Sequence, residues 1–233
     1  MTLDPTLVDL LKSVDTPTIC NALEVVAPER QASGYTVRPF VCANLPSTPL
    51  LGTARTACIR AAAPAERPAS ATDAVHKAYY EYMATPSQLP PIAVIFDADE
   101  EPGKGAFWGE VNSAIHHGLG VAGCITNGSM RDTDDLAPGF RILAGSLGPS
   151  HAFVHVESFG EPVEVHGMAV KHDDLVHADK HGAVVIPASA VNGLNDAIDL
   201  VRRREKRILD VVRKPGFTLD EFQAAVGDAA NIH

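Results

Sequence analysis

Residues 128–136 read GSMRDTDDL and set one arginine, Arg131, among three carboxylates, Asp132, Asp134 and Asp135. They come directly after GVAGCIT (120–126), a run of small and β-branched residues that reads as a buried strand. A plain turn needs one or two polar residues, so this density of charge points to chemistry. The guanidinium of Arg131 is a permanently charged planar fork suited to a carboxylate or to a developing enolate oxygen. Asp132 is a hard oxygen ligand suited to Mg²⁺ or Mn²⁺, and a lone carboxylate with waters is an ordinary magnesium site. Upstream, GKGAFWGE (103–110) leads into a helix starting near Gly109, whose free backbone N–H groups suit an anion. Together these groups describe a pocket for a small oxo-acid, with a metal as Lewis acid on its carbonyl. The residues alone leave a second reading open, in which Arg131 and Asp132 form a surface ion pair capping a short 132–137 turn.

Other chemistries fit less well. GKGAFWG is not the GxGxxG of a dinucleotide site, because no acid occurs at the right distance after a next strand. His151, His155, His166, His172, His177 and His181 cluster in sequence without a zinc pattern and read as exposed strand histidines. His116 and His117 end a helix, where a cation suits the dipole. No GxSxG nucleophile elbow occurs. Cys20, Cys42, Cys58 and Cys124 are scattered without a CxxC and read as reduced core residues of a cytosolic protein.

The elements that must hold the charged loop can be read from caps and periodicity. Asp4-Pro5 opens a helix with Leu7, Leu10, Leu11 and Val14 as its apolar stripe, and Asp15 or Thr16 with Pro17 opens a second. LGTARTACIRAA (51–62) and PPIAVIFDADE (90–100) are strand-like, and Ser70 with Asp73 suggests a capping box for a helix through residue 83. The Ala/Pro-rich 61–71 stretch reads as an exposed loop. Beyond residue 140, short extended segments at 140–145, 151–159, 161–170, 174–179 and 182–187 suggest an antiparallel region. Pro187 opens a long helix over 188–212, and Thr218 with Glu221 caps a last short one. The first half therefore alternates strands and helices, which implies parallel pairing. In open parallel sheets ligands sit beyond the carboxyl ends of strands. Asp97, the GSMRD stretch and the helix start after GKGAFWGE are expected to converge on one crevice.

The whole-chain balance agrees. With 233 residues, 45% of them hydrophobic, the chain suits one large α/β domain with helical arms over 1–25 and 188–233. A net charge of −10 argues against nucleic acid as a direct ligand. The basic run RRREKR (202–207) reads as a solvated helix face. The first residues carry no basic region or long apolar core of a signal peptide, and no run is long enough for a membrane helix, so a cytoplasmic location is expected.

WGEVNSAIHHGLGVAGCITNGSMRDTDDL (108–136), with DLVHADKHGAVVIP (174–187) further on, resembles the RraA-like family, which includes class II 4-hydroxy-4-methyl-2-oxoglutarate aldolases. The shared pattern is a Gly-acid pair (Gly109, Glu110), then G-x-x-R-D with a further acid (Gly128, Arg131, Asp132, Asp135), then the block from Asp174 to Pro187. DTPTICNAL (15–23) and GTARTA (52–57) fit the family's opening segments.

The resemblance implies a swivelling β/β/α layered fold and a homotrimer or homohexamer with sites between subunits. It implies Mg²⁺ or Mn²⁺ held through waters and Asp132, completed by a carboxylate from a neighbouring subunit's C-terminal helix, for which Glu205 is the candidate. It implies that Arg131 binds a small 2-oxo-acid and stabilises the pyruvate enolate, that backbone amides over Gly109, Glu110 and Val111 hold the carboxylate, and that Glu110 joins Arg131 and Asp132 as a catalytic candidate. Retro-aldol cleavage to pyruvate, with oxaloacetate decarboxylation as a side activity, is the implied chemistry. Other members regulate a ribonuclease by docking on it without catalysis, but they lack long terminal helices. The arms at 4–25 and 188–212 favour the enzyme. The chain departs from the pattern at Asn127, where the family often has an acid, and at His172–Asp173, where it has a Pro-Gly turn. It also carries local insertions at 46–50 and 61–71. These departures bear on the substrate more than on the fold.

Overall fold

Two proline-opened turns begin the fold. Asp4 accepts the Thr6 N–H (2.7 Å) to cap α1 (Pro5–Lys12), and Asp15 accepts the Thr18 N–H (3.0 Å) to cap α2 (Thr16–Val26). In this computed structural model, which describes residues 3–233, four further helices are present. They are α3 (Ala69–Met83), α4 (Glu110–Gly118), α5 (Leu194–Val212) and α6 (Leu219–Ala230). The strands of the main sheet are β1 (Val41–Ala43), β2 (Leu50–Arg60), β3 (Pro91–Asp97), β5 (Gly123–Thr126), β7 (Arg141–Ala144), β9 (His155–Phe159), β12 (Leu175–Asp179) and β13 (Gly182–Ile186). A second, small sheet holds β4 (Ala106–Trp108), β6 (Ser129–Met130) and β8 (Ser146–Leu147), and β10 (Val163–Val165) forms a hairpin with β11 (Met168–Val170).

The main sheet runs β1-β7-β5-β3-β2-β12-β13, with β9 alongside the far half of β2. Strands β2, β3, β5 and β7 are mutually parallel; the others join antiparallel. The central strand β3 is apolar on both faces, as a covered parallel strand must be. Ala93 and Ile95 face a cluster with Tyr79, Met83, Trp108 and Phe140 on the α3/α4 side, while Ile92 and Val94 face Val165 and Met168 of the hairpin. The layers are thus hairpin, sheet and helices. A third cluster joins both ends of the chain: Leu11, Ile19 and Leu23 pack with Leu194, Ile198 and Ile186. The helical arms therefore close over the β12–β13 end of the sheet. Among the described residues no helix is long and apolar enough to cross a membrane.

Several expectations change. The region after residue 140 is not all antiparallel, since β7 and β8 pair parallel to β5 and β6. The link from β5 to β7 is long enough for a crossover and carries β6 and a turn where a helix would be usual. No side chain caps α3; it starts at Ala69 because the Pro68 carbonyl already accepts from Ala71 and Thr72 (both 3.0 Å), leaving Ser70 inside the helix. α5 starts at Leu194, after a 3₁₀ turn over Val191–Gly193. The Thr218–Glu221 capping box is present.

His177 is a buried residue and not an exposed strand histidine: it bonds Thr16 Oγ1 (3.0 Å) and the Leu11 carbonyl (3.0 Å), tying β12 to the N-terminal helices. His116 is also buried, and desolvation lowers its pKa to about 4, so the cationic role at the end of α4 is lost. Of the four cysteines only Cys124 is fully buried.

Candidate active site

The small sheet brings the two charged motifs together. Strands β4 and β6 are adjacent and parallel, pairing Ala106 with Ser129 and Trp108 with Met130. The segments leaving the two strands must therefore emerge side by side: Gly109 and the start of α4 from one, Arg131 and Asp132 from the other. The Arg131 N–H extends this pairing by donating to the Trp108 carbonyl (2.9 Å).

Asp132 has φ 52°, in the left-handed region that a non-glycine residue adopts at a cost. Its carboxylate accepts the Glu110 N–H (3.3 Å) and lies 3.5 Å from Arg131 Nε. Gly109 leaves room for this approach, because a Cβ there would stand 2.5 Å from Asp132 Oδ2 and the carboxylate would have to move. Both charged side chains stay open to solvent, 38% exposed for Arg131 and 36% for Asp132. Glu110 has an exposed side chain, so its backbone N–H is the part of it that faces the charged pair. Val111 is 70% exposed at the same helix end.

A buried network fixes α4 in position. Tyr79 Oη donates to His116 Nε2 (2.7 Å), and His116 Nδ1 donates to the Asn112 carbonyl (2.7 Å). This pattern suits the neutral ring that burial enforces. Ser113 Oγ donates to the Glu110 carbonyl (2.8 Å) and accepts the Ala137 N–H (3.0 Å), joining the helix start to the end of the charged loop.

Arg131, Gly109 and Val111 line a cleft of about 380 Å³ between α3, α4 and the start of β9. Its walls add residues that sequence reasoning did not connect with the site: His76 and Tyr80 from α3, Phe107, Ile115, Val154 and His155. The 76/80 pair is an i,i+4 spacing on one helix face, a usable signal once that helix is known to dock here. The His76 and Tyr80 rings lie 4.7 Å apart.

Asp97 does not join this crevice. It is buried, and its carboxylate accepts the N–H groups of Asp99 (3.1 Å) and Gly103 (2.7 Å), organising the loop before β4; desolvation still pushes its pKa up. Asn127 explains why an amide serves at its position: it accepts the Asp97 N–H (2.8 Å) and donates to the Asp97 carbonyl (2.9 Å), which a carboxylate could not do. Glu205 is exposed on α5, where Asn21 of α2 donates to it (3.2 Å). Within one chain it touches the helical arms and not Arg131 or Asp132.

Among the described residues no group of three or more His, Cys, Asp or Glu side chains could hold a metal. The donor set of one chain is the single carboxylate of Asp132, which fits a hard, largely hydrated cation and not a zinc-type cage.

Comparison with known proteins agrees with this architecture. A sequence model of the family described as RraA-like, Aldolase/RraA, matches residues 16–185. An uncharacterised protein from Pseudomonas syringae pv. tomato str. DC3000 superposes with a TM-score of 0.67 at 18% identity, covering 96% of this chain and 95% of its own. RraAS2 from Streptomyces coelicolor, described as an unusual member of the RNase ES inhibitor RraA protein family, superposes with a TM-score of 0.61 at 24% identity, over 88% of this chain and 96% of its own. At these identities the likeness is one of fold. No protein of curated function shows significant sequence similarity to the chain.

Proposed function

Because the chain belongs to the RraA-like family, a group that holds both aldolases and ribonuclease inhibitors, we propose that it is the catalytic kind: a divalent-metal-dependent lyase releasing pyruvate from a 4-hydroxy-2-oxo-acid of the 4-hydroxy-4-methyl-2-oxoglutarate type. The observation that carries this reading is the adjacency of the β4 and β6 ends. It sets a guanidinium and a helix N-terminus at one edge of an open cleft, with the Asp132 carboxylate 3.5 Å from Arg131 Nε. A plain surface ion pair needs neither the strained backbone at Asp132 nor the missing side chain at Gly109.

In this reading Arg131 grips the oxo-acid end of the substrate, and the free N–H groups at the start of α4, at Glu110 and Val111, receive its carboxylate. Asp132 is the chain's own ligand for Mg²⁺ or Mn²⁺, with waters and a neighbouring subunit's carboxylate, Glu205 being the candidate, completing the shell in a homotrimer or homohexamer. The metal, when bound, supplies Lewis-acid polarisation of the 2-oxo group. A base takes the proton of the 4-hydroxyl, the C3–C4 bond breaks, and its electron pair passes into the pyruvate enolate. Arg131 stabilises that developing charge, and protonation at C3 completes pyruvate. Oxaloacetate would lose CO₂ through the same enolate.

The test is pyruvate release from several oxo-acids, coupled to lactate dehydrogenase, with Mg²⁺, Mn²⁺ or EDTA. Arg131→Ala and Asp132→Ala should each lower the rate by about 10²–10³-fold, the loss typical of one charge-stabilising group. Their circular dichroism should stay that of the wild type. Retained activity in both variants would remove the site, and a flat response to every oxo-acid and metal would favour a docking protein.

A further inference from the structure

Apart from Arg131, the lining of the cleft differs from what a second substrate carboxylate would need. Among the described residues Arg131 is the one lysine or arginine on the cleft, and no aspartate or glutamate side chain lines it. The nearby carboxylates would repel another anion: Asp132 sits against Arg131, and Glu157 sits 3.2 Å from His155 Nε2. His155 gives its other ring nitrogen to the Phe153 carbonyl (2.8 Å), so both of its polar atoms are taken. His76 is driven towards the neutral ring by burial.

Three further polar residues line the cleft, and their donors are already engaged: Thr72 Oγ1 donates to the Pro68 carbonyl (3.3 Å), the Asn112 amide to the Phe107 carbonyl (2.7 Å) and His151 Nδ1 to the Ala152 carbonyl (2.8 Å). The rest of the wall is aromatic and aliphatic. Tyr80 is fixed, its hydroxyl donating to Asn112 Oδ1 (3.1 Å) and its ring inclined by 31° to that of His76. Phe107 is locked edge-on against Trp108, with ring centres 5.3 Å apart, and Ile115, Val154 and Val156 complete the wall. These rings are held before any ligand arrives, and the cleft volume lies in the range of about 300–1,000 Å³ usual for small-molecule sites.

From this we infer that the cleft selects 2-oxo-acids whose far end is an uncharged aromatic or bulky apolar group, in preference to dicarboxylates. The inference rests on the proposed oxo-acid site and its lyase chemistry, and it replaces the second carboxylate of a 4-hydroxy-4-methyl-2-oxoglutarate-type substrate with an apolar group. The oxo-acid end meets Arg131 and the start of α4, and the ring at the far end lies against Tyr80, His76 and Phe107. A distal carboxylate would lose water there without gaining a partner. The matching reaction is retro-aldol cleavage of a 4-aryl-4-hydroxy-2-oxobutanoate. The C4 hydroxyl gives up its proton, the C3–C4 bond breaks, and the products are pyruvate and the aryl aldehyde, with no oxidant or reductant required.

Binding and turnover separate the two ideas. Phenylpyruvate and 2-oxoglutarate both lack the 4-hydroxyl, so neither can undergo the cleavage, and their affinities can be measured by calorimetry on the whole protein with Mn²⁺. Phenylpyruvate should bind about tenfold or more tightly, the discrimination that one mismatched group supplies. Arg131→Ala should weaken both ligands, and Ile115→Arg, which adds a cation to the apolar wall, should reverse the order. Tyr80→Ala should weaken phenylpyruvate while leaving 2-oxoglutarate unchanged. Equal binding, tighter binding of 2-oxoglutarate, no binding of either, or a ratio indifferent to both wall substitutions would each overturn the inference. In parallel, pyruvate release from 4-hydroxy-2-oxo-4-phenylbutanoate should exceed that from 4-hydroxy-4-methyl-2-oxoglutarate. A selective cleft that releases pyruvate from neither would overturn the lyase reading and leave the binding preference standing.

Discussion

Arg55 pairs with Asp173, and Arg131 pairs with Asp132; both aspartates hold a left-handed backbone, at φ 64° and 52°. The likeness ends there. Arg55 lies in the middle of β2 and is 1% exposed; besides Asp173 it donates to the carbonyls of Ala54 (3.3 Å) and Thr85 (3.1 Å) and stands over the Tyr82 ring. Arg131 follows a two-residue strand, meets Asp132 through Nε alone at 3.5 Å, and keeps its guanidinium at the edge of a cleft. The first pair is spent on the protein. The second leaves most of its donors and acceptors free, as a site for an outside anion and cation requires. At 172–173, where the resemblance led to the expectation of a Pro-Gly turn, His172 and Asp173 stand instead. Asp173 keeps a backbone that glycine would adopt without strain, and in exchange it gains a partner in the core.

The sharpest break of this comparison is in stability. Arg55→Ala would leave a cavity beside β2 and the Thr85 carbonyl without its donor, a loss of about 2–5 kcal/mol. Arg131→Ala removes one half-exposed contact and should change stability by less than about 1 kcal/mol. Urea denaturation of both variants measures the difference. Similar losses would mean that Arg131 is structural after all.

A slightly smaller effect separates the buried network beneath α4 from the open loop above it. His116 titrates near 4 in the folded chain against 6.5 when unfolded, because burial disfavours the charged ring. Between these values the unfolded state binds a proton that the folded state does not, so stability falls as pH drops from about 6.5 to 4. The full loss would be about 3 kcal/mol, at about 1.4 kcal/mol per unit. It should be visible as an acid-side decline in melting temperature, and His116→Gln should flatten that decline. An equally steep decline in the variant would assign it to other groups.

Much of the fold is legible in the sequence because it is local. The caps at Asp4, Asp15 and Thr218 depend on neighbours two or three residues away, and all three are formed. The meeting of residues 109–111 with 131–132 accords with the rule that strand ends gather ligands, although β4 and β6 are too short to be recognised as strands. The hidden part is non-local. The burial of His177 depends on Thr16, 161 positions away. The direction of β7 depends on its partner β5, and the aromatic wall depends on where α3 docks. The left-handed turn at Asp132, which swings its carboxylate onto the start of α4, has no signature in GSMRD, because aspartate is only tolerated in that conformation.

Gly109 tests how closely the open pair is fitted. Its backbone is extended (φ −165°), so alanine would meet no backbone strain, and the whole effect would come from a Cβ 2.5 Å from Asp132 Oδ2. Gly109→Ala should cost about 1 kcal/mol of stability. Pyruvate release should fall by up to about 10²-fold, the loss that a misplacement of roughly 1 Å can cause. A variant with wild-type kinetics would mean that the carboxylate position is unimportant to the chemistry.

The smallest structural effect is expected where the functional one stays large. Asparagine tolerates the left-handed backbone at position 132 and keeps an oxygen to accept the Glu110 N–H. Asp132→Asn should therefore shift stability by no more than about 0.5 kcal/mol. It removes the charge that a hard cation needs, so the response of pyruvate release to Mn²⁺ should disappear. Melting curves with and without Mn²⁺ read both halves at once, because a metal that binds the folded state raises its melting temperature. If Asp132→Asn melts several degrees lower without metal, the carboxylate is holding α4 in place through its charge, and the contrast with the Arg55–Asp173 pair narrows to the burial of the arginine alone.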